Sequence, residues 1–116
     1  MTDSMYVKFP NPLPGEYVTE AGVEAAELMG PEYSHKSCSR REEDGGSQTG
    51  LLIKLGEKPV LSVSPFRLNA ILEGVTINPL NGADNQVIQD YMDLLEGQAN
   101  NVDFINRGRA YLQPNF

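Results

Sequence analysis

Residues that form covalent or metal cross-links are nearly missing from this sequence. It has one cysteine, Cys38, and one histidine, His35, among 116 residues. A single cysteine cannot form an internal disulfide, and a structural zinc site needs four sulfur or imidazole ligands as a rule. The sequence therefore predicts a fold without a disulfide, a metal or a cofactor, which suits a reducing compartment.

Basic residues are also scarce. Nine Lys and Arg stand against sixteen Asp and Glu, so the formal charge is −7. A protein that binds DNA or RNA needs a basic face for the phosphates, and these nine residues are scattered along the chain. We therefore expect no nucleic-acid partner. Mimicry of nucleic acid toward a basic target stays open as a second alternative function.

Long apolar stretches are the third absence. No segment approaches the roughly 20 apolar residues that span a bilayer, and the first residues lack the basic start and apolar run of a secretory signal. We expect a soluble, intracellular protein, located in the cytoplasm, with no membrane partner.

The sequence does contain enough apolar residues for a core. Hydrophobic residues make up 40% of the chain, which predicts one α+β domain over residues 1–116. Residues 51–55 and 60–64 flank a turn-forming segment and predict a hairpin with a four-residue loop. A third strand from 5–9 or 75–77 would complete a small three-stranded sheet, antiparallel or mixed.

Capping residues and helical spacing predict three to four short helices. Asp84 precedes the most regular pattern, in which apolar residues recur at spacings of 3 and 4 as far as Gly97. Pro65 after Ser64 resembles a helix start and predicts a short helix over 66–73. The predicted N-terminal caps of the four helices are Thr19, Ser64, Asp84 and Asn101.

The longest polar stretch, residues 31–50, is predicted to be a mobile loop, because it has too few apolar groups to offset the entropy of ordering. His35 and Cys38 lie in it, so one alternative is a thiol-dependent enzyme or small-ligand binder. Catalysis by a cysteine needs a nearby base, and a three-residue spacing brings these two side chains together only in a helix. Neighbouring serines and glycines disfavour a helix. We therefore expect no catalytic residue and no enzyme.

Two features favour a partner protein. Residues 51–55 are apolar on both faces, which is typical of an exposed strand edge that pairs with another chain. A mixed-charge run precedes them in the polar stretch. The predicted partner-binding residues are Leu51, Leu52, Ile53, Arg40, Arg41, Glu42, Glu43 and Asp44.

Together these observations predict a non-catalytic protein–protein interaction protein. It would act as a subunit of a larger assembly, including a homo-oligomer, or as an inhibitor or adaptor that docks on a partner protein, with residues 31–50 ordering on contact. Such a small acidic chain also suits a viral or phage accessory protein in a host cytoplasm.

Overall fold

The computed structural model describes residues 5–41, 47–68, 71–80 and 83–112. Five strands and three helices account for most of them. The strands are β1 (Met5–Leu13), β2 (Tyr33–Arg41), β3 (Ser47–Leu55), β4 (Lys58–Leu68) and β5 (Ile71–Pro79). The helices are α1 (Gly15–Leu28), α2 (Asn85–Ala99) and α3 (Val102–Leu112).

The strands form one antiparallel sheet in the order β1-β5-β4-β3-β2. The three central strands follow one another in the chain and pair as neighbours. The two edges are β1 and β2, and α1 connects them across one face of the sheet. The predicted three-stranded sheet with three to four helices is therefore wrong, although the chain is still of the α+β class.

The polar stretch 31–50 is not the mobile loop that was predicted. Within its described part, β2 pairs with β3 without interruption from Tyr33 opposite Leu55 to Arg41 opposite Ser47. Residues 34–39 are exposed, so burial does not hold this strand. Backbone hydrogen bonds to β3 hold it instead, which is why hydrophobic patterning gave no sign of it.

The short helix predicted over 66–73 is also wrong. The chain continues in β4 beyond Ser64, and Pro65 lies opposite Val75 of β5. The described pairing of β4 with β3 ends at Val63, so Pro65 lies where β4 pairs with β5 alone. A proline is tolerated at such a position because its missing N–H group has no strand on that side to bond.

The predicted hairpin is confirmed, with a tighter turn. Leu51 lies opposite Val63 and Ile53 opposite Leu61, as the shared apolar face required. The pairing continues to Leu55 opposite Lys58, so two residues rather than four form the turn.

One face of the sheet packs against the helices, and strand residues alternate between that face and the other. In β1, Val7 and Phe9 are buried whereas Tyr6 and Lys8 are exposed. The largest fully buried side chains of the core are Tyr91, Phe9, Phe104, Leu13, Ile53, Leu61, Leu72, Ile77, Ile88, Leu95 and Val75. The opposite face of the sheet is polar and has no helix over it in the part of the chain that the structure describes.

Two of the predicted helix caps are confirmed. The Val87 N–H donates to Asp84 Oδ1 at 2.9 Å, and the Phe104 N–H donates to Asn101 Oδ1 at 3.1 Å. The Thr19 cap is wrong, because α1 begins four residues earlier after Pro14 and has no side-chain cap. Among the described helices, none is long and apolar enough to cross a bilayer.

Candidate functional site

His35 and Cys38 do not form a pair. His35 lies opposite Ile53 on the helix-covered face, where its Nε2 is 3.7 Å from Glu27 Oε1 of α1. Cys38 lies opposite Gly50 on the other face, because residues three apart in a strand point to opposite sides of the sheet. The thiol-dependent alternative loses the base on which it depended.

Cys38 lines a shallow depression on the open face of the sheet. The depression has a volume of ≈ 150 Å³, and its walls include Gly50, Leu52, Ser62 and Ser64. The thiol is exposed and its Sγ is 3.8 Å from the Lys36 carbonyl oxygen, two residues away. None of the described residues that line the depression is a base or a cation that would activate a thiol.

The predicted apolar contact residues are in the interior of the sheet. Leu51 is 3% exposed and Ile53 is fully buried. Leu52 lies on the open face and is half-buried. The expectation that 51–55 is an exposed edge is therefore wrong, because β3 lies between β2 and β4.

The charged run lies at the far end of β2. Arg40 and Arg41 are the last two residues of the strand and lie opposite Gln48 and Ser47. The rest of the run, Glu42, Glu43 and Asp44, lies outside the described residues.

The free edge of β2 is the most accessible part of the sheet backbone. β2 has nine residues and no proline, and among the described strands it pairs with β3 alone. The opposite edge differs because β1 contains Pro10 and Pro12. Helices contact both edge strands, α2 and α3 at β1 and α1 at β2. Proline at a sheet edge prevents pairing with another strand. The two edges are thus unequal, and only β2 combines length, exposure and a complete set of N–H groups.

The edge also carries the opposite charge to the chain as a whole. Lys36, Arg40 and Arg41 are three of the nine basic residues of the protein, and β2 contains no Asp or Glu. The sequence of β2 therefore has a net positive charge within an acidic protein.

A second concave surface, the α1–α2 cleft, lies near the start of β2. Its apolar wall consists of Leu28, Met29, Tyr33 and Leu94, and its acidic rim consists of Glu32, Asp90 and Asp93. Its volume is ≈ 420 Å³. No group of three or more His, Cys, Asp or Glu side chains among the described residues is arranged to hold a metal ion.

Burial and charge both act on the Tyr33 hydroxyl in this cleft. Its pKa is raised, first by partial desolvation and then by the negative charges of Glu32, Asp84 and Asp90. Carboxylates from three separate parts of the chain thus act on one aromatic ring.

Comparison with known proteins gives no match: no protein-family model, no curated protein and no solved structure is similar to the chain. The candidate site therefore depends on geometry alone.

Sequence reasoning predicted Arg40 and Arg41 as partner-binding residues but placed them in a mobile loop, and it found neither the β2 edge nor the cleft. The edge was hidden because β2 has no buried apolar residue to mark its period. The cleft combines residues about sixty positions apart in the chain, which no local pattern connects. A usable signal was the pair Asp90 and Asp93 beside Leu94, since residues three apart share one face of a helix.

Proposed function

We propose that this protein is a non-catalytic interaction protein that binds an extended segment of another protein along the free edge of β2. The single observation that carries the proposal is this nine-residue, proline-free edge strand, which is exposed over residues 34–39. In strand addition, the partner's backbone continues the sheet and makes the same hydrogen bonds as an internal strand. The protein would then work as an inhibitor or adaptor.

The chemistry of the edge supports an acidic partner segment. A strand that pairs with β2 would place a side chain beside Lys36, and β2 as a whole contains three Lys and Arg residues and no Asp or Glu. Opposite charges across a strand pair are favourable. The net charge of −7 opposes this approach only weakly at close range, because charges more than about 8 Å apart are largely screened at physiological salt. The basic residues of β2 therefore determine which partner segments are favoured.

The same charges argue against a second copy as the occupant. Two β2 strands paired with each other would bring together six cations and no carboxylate of the strands themselves. Like charges beside one another on paired strands are destabilising. This favours a different protein over self-assembly through this edge.

The experiment uses synthetic nine-residue peptides with alternating Thr and Val, in which three positions are Glu, Lys or Pro. Amide hydrogen exchange of the full chain is followed during titration. We expect the Glu peptide to protect amides within 34–39 and leave β5 unchanged, the Lys peptide to bind at least about tenfold more weakly, and the Pro peptide not to bind. Equal binding of all three peptides, or no protection in β2, would contradict the proposal.

Proline variants test the backbone directly. Adjacent residues of an edge strand point their N–H groups in opposite directions, so of Ser37→Pro and Cys38→Pro one keeps the β2–β3 hydrogen bonds and the other breaks one. The variant that melts like the wild type has its proline on the outer side. We expect that variant to lose peptide binding while keeping its fold.

Charge variants test the preference for an acidic segment. We expect Lys36→Glu to weaken binding of the Glu peptide by about tenfold. Lys58→Glu makes the same charge change in an exposed residue of β4 and is the matched control, expected to stay within about twofold.

A further inference from the structure

The α1–α2 cleft has an incompletely covered apolar wall. Leu28 is 58% exposed, although it lies at the end of α1 beside Met29 and Tyr33. At ≈ 420 Å³ the cleft is within the range of clefts that bind small molecules or single side chains. An aromatic ring and exposed leucine at the base of such a cleft leave apolar surface for a partner to cover.

The acidic rim is held in place without a cation. Gln86 Nε2 donates to Asp90 Oδ1 at 2.7 Å, and Gln89 Nε2 donates to Asp93 Oδ1 at 2.8 Å. Neither these two aspartates nor Glu32 takes part in any ion pair that the described residues form. The amide donors orient the carboxylates but leave their charge uncompensated.

Glu32 is placed by the turn that follows α1. Gly30 has φ +132°, and a side chain at that position would meet the Glu32 carboxylate at 2.8 Å. The exposed Glu32 side chain is flexible enough to relieve that contact, so the positive φ is what favours glycine at position 30. The negative charge of Glu32 acts on Tyr33 together with those of Asp84 and Asp90.

The chemistry of the cleft selects its occupant. A neutral apolar group would desolvate three carboxylates without compensation, which is costly. A metal ion needs a convergent set of ligands, and the described residues provide none. An arginine side chain suits both the acidic rim and the apolar wall of the cleft. Its planar cation pairs with carboxylates and stacks on an aromatic ring, and its methylene groups cover apolar surface.

We infer that the α1–α2 cleft binds an arginine side chain of a partner protein, with the guanidinium at Glu32, Asp90 and Asp93 and the methylene groups on Leu28 and Leu94. This contact is separate from strand addition at β2 and does not need it. The cleft is tested with a cationic arginine derivative and the β2 edge with an acidic peptide. A negative result at one surface therefore does not decide the test at the other.

The test is a titration of the full chain with N-acetyl-arginine methylamide, followed by amide and side-chain chemical shifts at 150 mM salt, on the order of physiological ionic strength. We expect saturable shifts at Tyr33, Asp90 and Leu94, with a dissociation constant in the millimolar range. The citrulline analogue has the same shape without the charge and should bind at least about tenfold more weakly. Equal binding of citrulline would overturn the inference, as would shifts that spread over the acidic surface without saturation.

Substitutions test whether arginine binds in the cleft itself or to the acidic surface of the protein in general. We expect Asp90→Asn with Asp93→Asn to weaken arginine binding about five- to tenfold, because each side chain keeps its hydrogen bond and loses its charge. Glu73→Gln with Asp103→Asn also removes two negative charges, from β5 and α3 outside the cleft, and should change binding less than about twofold. Equal losses in both double variants would overturn the inference. Calcium chloride in place of arginine is expected to give no saturable shift, and tight calcium binding would replace arginine with a metal as the occupant.

Tyr33→Leu tests the aromatic contact. The variant keeps an apolar wall and should lose the preference for arginine over the lysine analogue, because a guanidinium stacks on a ring better than an ammonium does. An unchanged preference would show that the ring does not contact the guanidinium.

Discussion

At the scale of single residues, β1 and β5 are closely packed at Gly74. Gly74 lies opposite Lys8, and a Cβ at Gly74 would overlap the Val7 carbonyl oxygen and lie 2.9 Å from Tyr6 Cζ. A backbone oxygen cannot move away without disturbing the pairing of the two strands. Gly74 therefore lets β1 approach β5 at this point.

The first prediction follows from this contact. We expect Gly74→Ala to lower the free energy of unfolding by about 2–3 kcal/mol through overpacking. Gly97→Ala is the control, because nothing lies within 4 Å of a Cβ there. Its position inside α2 predicts a gain of about 0.5–1 kcal/mol from the better helix former. Urea unfolding followed by circular dichroism measures both, and equal stability of the two variants would contradict the explanation.

Tyr91 predicts a pH dependence at the same scale. Its ring is fully buried, its hydroxyl donates to the Gly22 carbonyl oxygen at 3.4 Å, and burial raises its pKa far above the usual value of 10.0. Above pH 10 the unfolded chain releases this proton while the folded chain keeps it, so the unfolded state binds fewer protons and stability falls as pH rises.

The second prediction is that Tyr91 alone removes up to about 1.4 kcal/mol of unfolding free energy per pH unit above pH ~10. We expect Tyr91→Phe to be less stable at neutral pH by about 1 kcal/mol, from the lost hydrogen bond, and to have a shallower alkaline decline. Urea unfolding between about pH 8 and 11 measures the slope. If the free energy of unfolding of Tyr91→Phe falls with pH as steeply as that of the wild type, other titrating groups cause the loss of stability at alkaline pH.

At the scale of single elements, α3 is attached mainly through one aromatic residue. Phe104 is fully buried, and its ring meets Tyr17 of α1 edge to face at 5.8 Å between centroids. Arg107 lies 5.5 Å from the same ring and pairs with Glu20 Oε1 at 2.9 Å, but both charged side chains are nearly half exposed. Apolar burial should therefore outweigh the ion pair in holding this helix.

The third prediction compares these two contacts. We expect Phe104→Ala to cost about 3–5 kcal/mol and to expose the amides of α3 to hydrogen exchange. Arg107→Ala should cost about 1 kcal/mol or less, since an exposed ion pair contributes little. The opposite order of effects in urea unfolding would mean that the charged contact holds the helix.

The elements also differ in how far the sequence could predict them. The start of α2 was predictable because its cap, Asp84, and its apolar spacing are local features that act through the helix itself. The segment 66–73 has an equally good local signal in Ser64 and Pro65, yet pairing with β5 overrides it. β2 has no local signal, because its residues 34–39 are exposed and the strand is held by backbone pairing with β3. The candidate site depends on β2 and was missed for the same reason.

The whole molecule combines a well-paired centre with one open side. β5 has β1 and β4 as neighbours and β4 has β3 and β5, whereas β2 has β3 alone among the strands that the structure describes. Charged side chains and prolines are the usual protection of sheet edges, and here the prolines protect β1 and only the charges protect β2.

The fourth prediction is a gradient of amide protection across the sheet. We expect the slowest exchange in β5 and in β4 between 60 and 64, approaching the rate set by global unfolding. Every second amide of 34–39 should exchange close to the rate of an unstructured peptide, because its N–H group points away from β3. Uniform protection along β2 in the free protein would mean that the edge is already covered.

The chain order of the strands has a consequence for synthesis on the ribosome. Both outer strands and the helix between them belong to residues 5–41, whereas the three strands that separate them are all translated later. Neither β1 nor β2 can find its neighbour until that later segment has emerged, and β1 must wait for β5 in particular. The sheet should therefore remain incomplete until translation has passed Pro79, because β2, β3 and β4 can pair earlier but β1 has no partner before β5 is made.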